Sequence, residues 1–221
     1  LLRSGQSLTP FVLGALLRVP DAIVPAPAGA VDRAMAFIRR HTTANGAVGV
    51  TGGEADYPNY ATALAVDALV AAERRLPAVA HKGKAGSWTT DIAPMVAHLR
   101  AQQFSEANGW TPEHPAYGGW GMGGGIRRPP DAGHVDLSMT RFVLEALRAS
   151  GVDGSDPAMT RARVFLERSQ NLDGGFFFSP VIPAINKAGQ TADGFVSYGT
   201  TTADGVLALR ASGVPASDDR I

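Results

Sequence analysis

Weakly charged segments alternate along the chain with segments that carry one apolar and one charged face. Thr62–Ala72 contains a single charged residue, Asp67, and Val206–Leu209 contains none. Ala30–Thr42 instead places its large apolar residues on one helical face and three arginines elsewhere. The first kind predicts helices buried on more than one side, and the second predicts helices with one face in solvent. The pattern of Ala30–Thr42 recurs at Asp91–Gln103 and Pro157–Gln170, so we expect about seven helices of alternating kind.

A repeated motif lies inside the weakly charged segments. It consists of Thr, then Leu or Val four residues later, Ala six residues later and Leu seven residues later. Copies begin at Thr9, Thr62, Thr140 and Thr202, and the last two run into the same hexapeptide at Leu147–Val152 and Leu209–Val214. A fixed motif at variable spacing indicates repeated helical units separated by insertions. We expect each Thr to cap its helix or lie in the first turn, and Gly151 and Gly213 to end their helices.

Composition narrows the class of protein. Of 221 residues, 45% are hydrophobic and 18% are charged, which is typical of a globular domain with an apolar core. Twenty basic residues balance twenty acidic ones, so we expect no nucleic-acid partner attracted by charge. The absence of Cys excludes disulfides and thiolate zinc sites. No apolar run is long enough for a membrane span, so we expect no transmembrane segment.

The ends of the sequence suggest a piece of a larger repeat array. It begins in mid-pattern at Leu1, and at Ile221 it is a few residues into what the pattern predicts to be another helix. We therefore expect a single domain over residues 1–221 that is incomplete at both ends. Its terminal helices would expose apolar faces, which favours either a homodimer or the remainder of a longer chain.

The loops that precede the repeated motif carry a second recurring pattern. Gln103-Phe-Ser-Glu-Ala-Asn-Gly-Trp110 and Gln170-Asn-Leu-Asp-Gly-Gly-Phe176 both follow a charged segment, and Tyr117-Gly-Gly-Trp-Gly precedes Asp136. This pattern resembles the Gln…Gly…Trp/Phe repeats of prenyltransferase/squalene-oxidase repeat proteins in the terpenoid cyclase and protein prenyltransferase superfamily. The resemblance implies an all-α fold, an α/α toroid in which inner and outer helices alternate, of which this chain would form an arc.

The catalytic signatures of that superfamily are missing from the matching positions. Its cyclases open one inner helix with Asp-x-Asp-Asp-Thr and use the middle Asp as the acid. Asp136 falls on the first acidic position, but Ser138 and Met139 fall on the next two. Its prenyltransferases bind zinc through Asp, Cys and His, and this chain has no Cys. We expect no metal and no cofactor, and Asp136, Asp204 and His134 remain the candidate catalytic residues, with helix capping as the alternative role of Asp136.

Aromatic side chains in the two long loops, Tyr117–Asp136 and Asp173–Tyr198, are the candidate ligand contacts. In cyclases such rings face the cavity and stabilise carbocations through their π faces. The candidate ligand-binding residues are Tyr117, Trp120, Asp136, Phe176, Phe178 and Tyr198. The alternative is that these rings fill the core.

Three functions remain open from the sequence. The first is a toroid domain that binds an isoprenoid, another apolar small molecule or a partner without catalysis. The second is a terpenoid cyclase or prenyltransferase-type enzyme whose catalytic residues lie outside this piece. The third is a carbohydrate-active α/α toroid, in which His114, Tyr117, His134 and Asp136 would line a groove.

Overall fold

Seven α-helices form within the part of the chain that the computed structural model describes, residues 5–52, 55–75, 89–192 and 194–221. They are α1 (Gly5–Arg18), α2 (Ala30–Arg40), α3 (Pro58–Arg75), α4 (Thr89–Ala101), α5 (Leu137–Ala149), α6 (Pro157–Arg168) and α7 (Gly199–Ala211). A short antiparallel hairpin joins β1 (Gln190–Thr191) to β2 (Gly194–Phe195), and 3₁₀ turns occur at Glu106–Asn108 and Pro183–Ile185. The protein is therefore all-α, as the periodicity predicts.

The first compact unit, Leu1–Leu99, is organised around α1. The most extensive helix packing is between α1 and α3, both of which contain the repeated motif, while α2 packs against α1. Ala61, Ala65 and Ala68 are fully buried, and their small side chains suit close packing of neighbouring helices. An ion pair of 2.7 Å joins Arg39 of α2 to Asp91 of α4. Within this unit the motif-bearing helices are thus adjacent to each other.

The second unit, Arg100–Ile221, repeats this arrangement. Its motif-bearing helices α5 and α7 pack against each other, and α6 contacts both. The core contains the fully buried rings of Trp110, Trp120, Phe165 and Phe176. In both units, helices that carry the motif pack side by side, while the more charged helices pack beside them.

Helix ends in the second unit follow from local sequence. Asp136 caps α5 by accepting from Met139 N, and Asp156 caps α6 by accepting from Ala158 N. At the other end of α5, Gly151 adopts a left-handed φ of 96°, and Val152 N donates to Leu147 O at 3.0 Å. Gly213 has the same φ. Both glycines therefore end their helices as predicted.

The Thr side chain that recurs in the motif has a role that differs from capping. Thr62, Thr140 and Thr202 lie inside their helices, and each Oγ1 accepts a hydrogen bond from a backbone N–H of the preceding loop. The donors are Val48 at 2.9 Å, Trp120 at 3.2 Å and Phe176 at 3.1 Å. The threonine thus attaches each loop to the helix that follows it.

Two expectations about the helices need correction. The charged helices end before the predicted residues Thr42, Gln103 and Gln170, because the chain turns after Arg40, Ala101 and Arg168. The motif-bearing helices are not all enclosed. Leu207 of α7 is 45% exposed, and α5 carries the half-buried charges of Arg141 and Glu145.

Among the described residues, no helix combines the length and apolar character needed to traverse a lipid bilayer.

Candidate functional site

Charged and hydroxyl side chains meet where α5 and α7 begin; we call this group the α5–α7 cluster. It consists of His134, Asp136, Ser138, Arg141 and Asp204. His134 Nε2 lies 2.6 Å from Asp136 Oδ2, while the other oxygen of Asp136 accepts from Met139 N at 2.7 Å. Asp136 is buried, at 3% exposure. Both oxygens of this carboxylate are therefore engaged in holding the start of α5.

Asp204 is the second carboxylate of the α5–α7 cluster. Arg141 Nε lies 3.0 Å from Asp204 Oδ1. This nitrogen is buried and makes no hydrogen bond in the described part of the chain, so the contact is electrostatic. Burial raises the pKa of Asp204, and the charge of Asp136 adds to the rise, while Arg141 and Ser138 oppose it. Asp204 is thus a carboxyl that favours its protonated form more than a solvent-exposed Asp does.

Aromatic rings border the α5–α7 cluster. The ring of Phe178 meets His134 edge-to-face at 6.4 Å between centroids. Burial raises the pKa of the Tyr198 phenol, and the nearby charges of Asp204 and Asp136 raise it further. Arg141 also stacks over Phe142, with its guanidinium carbon 3.8 Å from the ring centroid. The cluster therefore combines a carboxyl with a raised pKa, a cation and half-buried rings.

The remaining candidate ligand contacts lie elsewhere. Trp120 and Phe176 are fully buried and offer no surface to a ligand in this structure. Phe176 fills the space beside Gly205, where an added Cβ would come within 2.3 Å of the ring. Tyr117 donates from its hydroxyl to Glu106 at 2.5 Å, and Arg161 binds the other oxygen of Glu106. These three aromatic residues stabilise the loops and the core.

The four residues considered for carbohydrate chemistry divide into two groups. His134 and Asp136 belong to the α5–α7 cluster. His114 packs edge-to-face on Trp110 at 4.6 Å, and its carbonyl accepts from Arg168. Tyr117 is bound to Glu106. His114 thus attaches the loop before α5 to Arg168 of α6, and Tyr117 contacts Glu106, which Arg161 of α6 also binds. His134 and Asp136 instead hold the start of α5.

Sequence reasoning missed Arg141 and did not assign a role to Ser138. The signal for Arg141 was present, because the residue after the motif Thr is uncharged in the other copies, namely Pro10, Ala63 and Ala203. Asp204 was a candidate residue, but its pairing with Arg141 could not be predicted from the sequence, since the two residues are on different helices. Among the described residues, no group of three His, Asp or Glu side chains is placed to hold a metal ion.

A second surface of interest is an apolar stripe on α1, formed by Leu8, Val12 and Ala15; we call it the α1 stripe. Leu8 is 43% and Val12 is 58% exposed, and Ala15 is also exposed. Phe11, next to the stripe, is 48% exposed. The equivalent motif positions are buried in the other three copies: Ala61, Ala65 and Ala68 in α3, Met139, Val143 and Ala146 in α5, and Thr201, Gly205 and Ala208 in α7. The α1 stripe is therefore a helix-packing face without a cover in the described structure.

A surface cavity of about 280 Å³ also lies between the C-terminal halves of α1 and α3. It is lined by Leu17, Val70 and Ala71 together with Arg18, Asp67, Arg74 and Arg75. Arg18 pairs with Asp67 at 2.5 Å, and Arg75 pairs with Asp21. The charges of these two arginines are thus neutralised within the protein.

Comparison with known proteins adds no assignment. No protein-family model matches the chain, and no curated protein matches it significantly.

Proposed function

We propose that this chain is an α/α-toroid-type domain of the terpenoid cyclase and prenyltransferase kind, and that it binds an isoprenoid, another apolar ligand or an apolar partner without catalysing a reaction. The observation that carries the proposal is the α1 stripe. The toroid arrangement is supported within each unit by the pairing of motif-bearing helices, α1 with α3 and α5 with α7.

The α1 stripe supports binding because its residues are of the type that the other copies bury. Leu8 and Val12 are each about half exposed. Covering a side chain of this size completely contributes about 1.5–3 kcal/mol, so covering the exposed half of each contributes on the order of 1 kcal/mol. α1 carries a single charged residue, Arg18, at its C-terminal end, so little charge has to be desolvated when an apolar molecule binds.

The state of Asp136 supports a role without catalysis. In the related cyclases the acid is a protonated carboxyl at the start of an inner helix. Asp136 instead accepts from Met139 N and contacts His134, an arrangement typical of a helix-capping residue. Ser138 occupies the position of the family's middle acid, and a hydroxyl cannot supply the proton.

The experiment is native mass spectrometry of the protein after incubation with an apolar lipid extract that contains isoprenoids. We expect a retained apolar mass that is lost in the Leu8→Gln/Val12→Gln variant. Leu172→Gln is the matched control, because Leu172 is fully exposed in the second unit and should not affect binding. No retained mass with the unmodified protein, together with no co-purifying partner, would contradict the proposal. Equal retention in all three proteins would contradict the role of α1.

A second candidate function is acid catalysis by Asp204, and it is favoured by the raised pKa of this carboxyl. Ser138 hydrogen-bonds to Asp204. Ser138 of α5, which stands where the cyclases have their middle acid, is thus next to the carboxyl of Asp204 from α7. If Asp204 is a general acid, product formed from an isoprenoid alkene or epoxide should disappear in Asp204→Asn and persist in Asp136→Asn. Absence of any product with the unmodified protein would remove this candidate.

A further inference from the structure

The cavity between α1 and α3 combines apolar walls with charged side chains. Leu17 and Val70 are buried, at 7% and 8% exposure, and Ala71 beside them is half-buried. The charged residues that complete the lining are Arg18, Asp67, Arg74 and Arg75. The cavity therefore offers apolar surface next to an excess of positive charge.

Two of the three arginines have partners within the protein. Arg18 pairs with Asp67 at 2.5 Å. Arg75 pairs with Asp21, and its Nη1 donates to Leu16 O at 2.8 Å. Leu16 lies in the last turn of α1, where a cation complements the negative end of the helix dipole. The structural roles of Arg18 and Arg75 are thus accounted for by contacts inside the chain.

Arg74 is the cation that these pairings leave over. It is exposed, it lines the cavity, and within the described part of the chain it makes no hydrogen bond or ion pair. The cavity lining and Asp21 together therefore carry one positive charge in excess. A guanidinium presents its N–H groups as a planar fork that matches the two oxygens of a carboxylate. One bound monoanion would make this group of charges neutral.

The volume and the charge of the cavity limit what it can hold. Its volume of about 280 Å³ is at the lower end of the range of small-molecule pockets. This volume corresponds to about nine water molecules in the liquid, which leaves room for a carboxylic acid of about six carbons. A phosphate monoester carries about −1.5 to −2 charges at pH 7, more than one excess cation neutralises. A monoanionic carboxylate with a short apolar chain therefore fits best.

We propose that the cavity between α1 and α3 binds the anion of a small aliphatic carboxylic acid. Arg74 binds the carboxylate, and the aliphatic chain packs on Leu17, Val70 and Ala71. The residues of the α1 stripe do not line this cavity, so the site is separate from the one on which the proposed function rests.

The test is a titration of the full chain with hexanoate, followed by amide chemical shifts in NMR spectra. We expect a Kd on the order of 1 mM, with shifts at Val70 and Ala71. Hexanamide has a chain of the same length without the charge, and acetate has the charge without the chain, so each should bind at least about tenfold more weakly. Inorganic phosphate should also bind more weakly than hexanoate. Binding of any of these three compounds as tight as that of hexanoate would overturn the proposal.

Three variants test the residues that the proposal names. Arg74→Gln should weaken hexanoate binding by about five- to tenfold and leave the Tm unchanged, because it removes a charge without breaking a contact of the described structure. Arg128→Gln is the matched control, since Arg128 is also exposed and makes no hydrogen bond or ion pair with the described residues. Ala71→Leu fills part of the cavity and should abolish binding. Unchanged binding in Arg74→Gln or Ala71→Leu, or an equal loss in Arg128→Gln, would overturn the proposal.

The Leu8→Gln/Val12→Gln variant separates this site from the α1 stripe. It should bind hexanoate as the unmodified protein does, whether or not it retains apolar lipids. A loss of hexanoate binding in this variant would place the ligand on the α1 stripe and would overturn the assignment to the cavity.

Discussion

Replacing Thr140 by valine tests whether the repeated threonine attaches the loop to the helix. Thr140 is fully buried, and its Oγ1 accepts from Trp120 N at 3.2 Å and donates to Asp136 O at 2.9 Å. Valine has a similar shape but no acceptor, so the hydrogen bond from Trp120 N to the side chain is lost. Asp136 O keeps the hydrogen bond from Thr140 N at 3.2 Å.

The expected loss is therefore that of removing the acceptor of one buried hydrogen bond, about 1–3 kcal/mol in the free energy of unfolding. Urea denaturation monitored by far-UV circular dichroism measures it as a lower midpoint with an unchanged slope. Thr160→Val is the control, because Thr160 is exposed and, within the described residues, its hydroxyl donates to Pro157 O in the same helix. The control should change stability by less than about 0.5 kcal/mol. A loss for Thr140→Val no larger than for Thr160→Val would refute the reasoning.

The repeat makes the same prediction twice more, with a rank order. Thr62 is fully buried like Thr140, so Thr62→Val should cost a similar amount. Thr202 is only half-buried, and water can replace part of the lost bond to Phe176 N, so Thr202→Val should cost less.

Three further measurements test other features. Gly118→Ala should destabilise by on the order of 3 kcal/mol in the same urea assay, since it combines a left-handed backbone with a clash against Arg161 O. Gly151 is also left-handed but lies in open space, so Gly151→Ala should cost about 1–2 kcal/mol. Burial lowers the pKa of His98 from 6.5. The stability that its neutral form allows should therefore be present above pH 6.5 and be lost as the pH falls through the lower folded-state pKa. His98→Gln should make the urea midpoint less dependent on pH between about pH 7 and pH 5. The raised pKa of Asp204 changes stability with pH in the opposite direction. Its contribution to the free energy of unfolding is present below the unfolded pKa of 3.8 and is lost as the pH rises through the folded value. Asp204→Asn should therefore raise stability at about pH 7 and change it little at about pH 3.

The positions of the helices could be predicted from the sequence because they depend on local information. Apolar spacing identified all seven helices in the described part of the chain, and Gly151 and Gly213 ended two of them where expected. The C-terminal ends of the charged helices were placed two residues too late. Periodicity continues past the last helical hydrogen bond, as at His41, where the chain leaves the helix.

The roles of individual side chains could be predicted less well, because they depend on contacts between distant parts of the chain. The motif showed that Thr140 matters but not that it binds Trp120 N. A cap was one of two readings of Asp136, and the hydrogen bond to Met139 N is that of a cap. Trp120 was a candidate ligand contact, but its complete burial depends on packing that no spacing rule describes.

The burial of the Asp204 carboxyl is a physical reason to expect a functional role for this residue, whereas the capping hydrogen bond of Asp136 is accounted for by the fold. A carboxyl whose pKa is raised by burial lowers the stability of the folded protein at neutral pH, because its ionised form is less well solvated there than in the unfolded chain. A neutral amide at this position would avoid the penalty and could still accept from Ser138. Its position beside Arg141, Ser138 and Tyr198 makes proton transfer or the orientation of a polar ligand group the expected use of such a residue. If Asp204→Asn is more stable at pH 7 and binds apolar ligands unchanged, this argument fails, and the α1 stripe alone carries the function.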